Sequence, residues 1–129
     1  MFRHEKQLLH PVAVERPNAH YAALLQEQLG GGNGELKAAM QYMSQSFRVK
    51  DPAIKDLFMD IAAEELSHME MVAATINLLN GHDLDSQGVN GGEIETHVLW
   101  GLSPGLTNSS GYSWTADYVT VTGDFCADL

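Results

Sequence analysis

Residues 52–80 set the strongest limit on what this chain can fold into. Ile54, Leu57, Phe58, Ile61, Met69, Val72, Ile76 and Leu79 recur at the three- and four-residue spacing that places side chains on one face of an α-helix. Asp51-Pro52 supplies an N-cap and a first-turn proline, and Asn80-Gly81 supplies a stop. At 1.5 Å per residue such a helix is about 43 Å long. The fold class that follows is all-α.

Two shorter helical runs precede it. Residues 1–17, with Pro11 and Pro17, read as an extended lead-in. Asn18 can cap a helix over 19–29, where Tyr21, Leu24, Leu25 and Leu29 keep helical spacing, and the sequence GGGNG breaks it at 30–34. A second run, from Glu35 to about Val49, carries the stripe Leu36, Met40, Met43 and Phe47. Residues 81–123 differ in kind: Gly, Ser, Asn and Thr dominate, which predicts a long connection. Its Trp100, Leu102, Leu106, Tyr112, Trp114, Tyr118 and Val121 hold too much apolar surface to leave in water, so it should be ordered and pack on the helices or wrap over a neighbouring subunit. Thr122-Gly123-Asp124 then opens a further helix that the sequence carries for only about one turn.

Composition excludes several functions. The 129 residues suit a single domain, and 44% hydrophobic with 19% charged residues is globular composition. A formal charge of −10 argues against nucleic acid or an anionic membrane as partner. No stretch approaches the roughly 20 apolar residues of a membrane span, and no signal core opens the chain, so the expected location is the cytoplasm. The single Cys126 excludes an intramolecular disulfide and reads as a small core residue. His4, His10, His20, His82 and His97 read as surface histidines, and Met40, Met43, Met59, Met69 and Met71 as core packing.

The chemistry lies in the long helix, whose apolar face passes through positions 65 and 68, here Glu65 and His68. An unpartnered carboxylate in that phase costs several kcal/mol or takes up a proton, and a metal ion removes the problem. Glu-x-x-His on one helix, joined by a Glu from an antiparallel neighbour, is the half-site of ferritin-like di-iron and di-manganese bundles. The neighbouring Glu would be Glu35, beside Ala38, Ala39 and Tyr42. The plain alternative makes His68 a satisfied core histidine, Glu65 a rim carboxylate directed at Lys55 or Arg48, and Glu35 an acid offsetting the helix dipole.

Three segments, GGGNGELKAAMQYMSQSF, IAAEELSHMEMVAATINLL and SPGLTNSSGYSWTADYVTVTGDFCADL, together resemble the manganese catalases over nearly the whole chain. The resemblance implies a ferritin-like bundle: two core helices of four, preceded by a short helix and followed by a long crossover, in one domain over 1–129 that stops as the third core helix begins. It makes Glu35 a terminal ligand, Glu65 a bridging carboxylate and His68 a terminal nitrogen ligand for manganese, two ions per complete site. Tyr42 matches a position whose hydroxyl tethers a ligand, and Asp56 and Asp60 match acids that help hold calcium at a subunit contact, although acids four apart also suit a solvated face. The second Glu, the second His and the acid/base carboxylate of the family are absent from this sequence.

The activity so implied is the disproportionation of hydrogen peroxide to water and dioxygen in a homo-oligomer, a hexamer or smaller. Two chains could also pair their half-sites about a two-fold axis. Rival readings are a non-catalytic structural relative of the spore-coat type and an iron-dependent ferritin-like oxidase. Composition does not choose manganese over iron.

Overall fold

A computed structural model of the chain describes residues 3–5, 7–82 and 104–128. Three helices make the body: α1 (Ala19–Gly30), α2 (Glu35–Ser46) and α3 (Pro52–Leu79). A 3-10 turn (Ala116–Tyr118) and a one-turn α4 (Phe125–Asp128) follow. The caps act as the sequence predicts. Asn18 Oδ1 accepts from Tyr21 N at 3.1 Å, and Asp51 Oδ1 accepts from Ala53 N at 2.9 Å and Ile54 N at 3.3 Å, which satisfies donors that begin each helix without a partner.

Helices α1 and α2 lie in series along α3, both antiparallel to it. Asn18 N meets Leu79 O at 2.7 Å at one end, and Ala22, Leu29 and Ile76 form a buried cluster with Met69 and Val72 packed against it. Further down α3, Tyr42 contacts Phe58 with ring centroids 6.1 Å apart and Ser46 contacts Met59. Leu36 and Ala39 are buried on α2, as are Phe58 and Ala62 on α3. The glycine turn at 31–34 thus interrupts one side of a helical pair whose other side, α3, runs unbroken.

Two helix-face expectations need correction. Helix α2 ends at Ser46, three residues short of Val49, because the Ser46 hydroxyl turns back on Met43 O at 2.7 Å and residues 47–49 close with three-residue turns. That tightening buries Val49 and swings Phe47 out of its stripe, to 69% exposure. Leu57 is also open, at 51% exposure, because Phe58 and Ala62 take the contact with α2 and Leu57 lies about 100° around the helix from Phe58.

The second half of the long connection is ordered and folds back on its own chain. Gln26 Nε2 donates to Gly105 O at 2.8 Å and Thr107 O at 3.0 Å, while Glu27 Oε1 accepts from Ser109 N and Oγ at 3.2 and 2.7 Å. Those two bonds hold the Glu27 carboxyl below its usual range. Gly30 permits the approach, since any side chain there would strike the Thr107 backbone. The Trp114 and Tyr118 rings meet edge to face at 6.4 Å, with Tyr118 beside Gly32. Trp100, Leu102 and His97 lie outside the described residues. Cys126 is exposed, not a core residue, and its amide donates to Asp124 Oδ1 at 2.9 Å at the start of α4. No described helix is long and apolar enough to cross a membrane.

Candidate metal centre

The glycine turn delivers Glu35 as the first residue of α2, at the level where α3 presents Glu65 and His68. Gly34, the cap residue of α2, makes no side-chain cap bond, and a Cβ there would come within 2.7 Å of Gln28 O. The turn is therefore tight, and it fixes where α2 begins. On α3 the spacing of three sets Glu65 and His68 on one face, with His68 Nδ1 3.3 Å from Glu65 Oε2 and 3.8 Å from Glu35 Oε2. One ligand atom from each of the three residues lies within 4.8 Å of the others. Among the described residues, no other group of three or more His, Cys, Asp or Glu side chains is gathered this way.

Electrostatics favours a cation here. Burial, then the hydrogen bond and charge of Glu65, push the Glu35 carboxyl up to about 7, against a smaller opposing pull from His68. Two acids that share a proton across a half-buried gap are a place where a divalent ion can take the proton's role. The donor set, two carboxylates and one imidazole without thiolate, suits manganese or iron.

The two carboxylates and the imidazole thus come together, and Glu65 faces His68 and Glu35 rather than Lys55 or Arg48. Tyr42 lies about two turns further along α2 from Glu35, with its ring tilted against Phe58. Asp56 and Asp60 are exposed on α3, apart from the Glu35 cluster. Sequence reasoning missed Glu64, whose Oε1 lies 3.9 Å from His68 Nε2, the imidazole nitrogen turned away from the other acids. Its i, i+4 spacing to His68 was the available signal.

The helical architecture is that of the ferritin-like fold, and the acid-histidine cluster is a group that could hold a metal ion. More narrowly, the chain belongs to the manganese-containing catalases, whose family model matches residues 1–129. It is 70% identical over 131 residues to a probable manganese catalase of Clostridium acetobutylicum, covering all of this chain and 58% of that protein. A manganese catalase of Bacillus subtilis is 38% identical over 142 residues, with 52% of its length covered. The crystal structure of KatB, a manganese catalase from Anabaena, superimposes with a TM-score of 0.80 at 38% identity, over 99% of this chain and 57% of that one. The chain therefore spans between half and three-fifths of the length of these relatives.

Proposed function

We propose that this chain supplies one ligand set, Glu35, Glu65 and His68, of a dimanganese centre that converts two molecules of hydrogen peroxide to two of water and one of dioxygen. The observation that carries the reading is the approach of the three donor groups to within 4.8 Å in a chain of this family. When bound, the metal pair supplies the redox capacity to take electrons from one peroxide and return them to another.

The chain's own residues bind and orient. Glu65, on α3, faces Glu35 across the helix pair, and together with Glu35 and His68 it would hold the metal. Glu64 Oε1, 3.9 Å from the outer nitrogen of His68, adds negative charge beside the imidazole without a hydrogen bond. Self-association belongs to the reading as well, since Tyr21, Leu24 and Leu57 are each about half exposed and ask for further protein cover.

The test pairs metal analysis with oxygen evolution. Purified protein should hold manganese in preference to iron, and Glu65→Ala or His68→Ala should lower manganese affinity at least about 100-fold, beyond the 10–100-fold typical of losing a residue that merely supports a ligand. Iron in the site would favour the ferritin-like oxidase. Bound manganese without oxygen release, in protein that carries a full ligand complement, would favour a structural relative.

A further inference from the structure

A cleft of about 940 Å³ opens where the N-terminal segment crosses the α2–α3 pair, and two thioethers, Met43 and Met59, line it. His4 and Glu70 close one edge through a 2.6 Å contact. The cleft is roomy for small solutes, since the share of liquid volume taken by one water is about 30 Å³, and hydrogen peroxide is little larger. Met59 sits six residues before Glu65 on α3, about 9 Å along the helix axis.

Met59 has a hydroxyl against its sulfur. The fully buried Ser46 hydroxyl lies 2.9 Å from Met59 Sδ and 2.7 Å from Met43 O. A serine hydroxyl has one hydrogen, and the carbonyl is the stronger acceptor, so the hydrogen goes to Met43 O and an oxygen lone pair faces the sulfur. That arrangement suits a sulfur that turns electropositive. Met69, by contrast, packs against the apolar cluster of Ala22, Leu29 and Ile76.

From this geometry we infer that Met59 is an oxidation site for hydrogen peroxide, with Ser46 as the group that accommodates the product. The Met59 sulfur attacks one peroxide oxygen, an S–O bond forms, the O–O bond breaks, and the departing hydroxide takes the proton of the new S–OH group to leave as water. Sulfur is oxidised by two electrons and peroxide is reduced by two. The sulfoxide sulfur, partly positive, then rests against the Ser46 lone pair, while its oxygen projects toward the cleft. This places on the chain a reversible mark of peroxide exposure, because methionine sulfoxide is open to enzymatic reduction. The inference takes only the source of peroxide from the function proposed above, and its test adds peroxide directly.

The experiment is peptide mapping by mass spectrometry after timed exposure of the folded chain to millimolar hydrogen peroxide, with Met69 as internal reference. Met59 should oxidise on the order of tenfold faster than Met69 in the folded chain, and the two rates should converge in denaturant. Ser46→Ala should slow Met59 several-fold and leave Met69 unchanged. Should Met59 and Met69 oxidise at the same rate in the folded chain, the site is refuted; should Ser46→Ala speed Met59, the role given to Ser46 is refuted. Metal content and oxygen evolution enter neither readout, so failure here leaves the catalase reading standing, and failure of that reading leaves this one intact.

Discussion

Glu35 carries the most legible electrostatic consequence of the site. Its carboxyl moves from an ordinary 4.5 to about 7 on folding, so the folded chain holds that proton more tightly than the unfolded chain does. The sign follows. The contribution of Glu35 to stability is fully present below about pH 4.5, declines as pH rises, and is gone above about pH 7. Metal-free chain melted across this range should lose stability relative to Glu35→Gln, and parallel curves for the two proteins would contradict the assignment. A divalent ion must displace the same proton, so manganese affinity should climb as pH rises through 7. The convergence of Glu65 and His68 could be read in the sequence because both occupy the apolar phase of a long helix, where a charge needs a reason. Glu35 was readable through the glycine run before it. The Glu64 approach to His68 had only its i, i+4 spacing as a signal, and the Ser46–Met59 contact had none, because it depends on side-chain rotamers and on which faces two helices present to each other.

At the scale of elements, both boundaries of α3 and the N-cap of α1 follow from local chemistry, since Asn18, Asp51 and Pro52 act within one turn of themselves. The end of α2 does not. Nothing local in the Ser46-Phe47-Arg48 sequence announces a stop; it comes from the Ser46 side chain competing for a helix carbonyl and from Val49 being drawn into the interior. The core between α2 and α3 is narrow, with Phe58 as its largest side chain, 1% exposed and set against Tyr42. Phe58→Ala should therefore cost about 3–5 kcal/mol, measured by urea denaturation of the metal-free chain. A loss of under about 1 kcal/mol would mean that the two helices are held together elsewhere.

For the whole molecule, the serial placement of α1 and α2 along α3 makes the glycine turn a point of registration. Gly34 has no room for a side chain beside Gln28 O, and Gly31 none beside Glu27, so the turn has little slack to absorb extra length. One additional glycine between Gly32 and Asn33 should leave helical content nearly intact and α1 seated against Ile76 and Val72. It should carry Glu35 out of reach of Glu65, with manganese affinity down at least about tenfold, because a site of this kind tolerates only about 0.5 Å of misplacement. Unchanged affinity in the insertion variant would show that the turn is slack. The two stretches of α3 are thus read by different rules. The far stretch, under α1, is a greased contact of Leu, Val, Ile and Met on which small slips are tolerated. The near stretch, under α2, is a vernier scale: it has meaning only from a fixed zero, and the four residues at 31–34 set that zero.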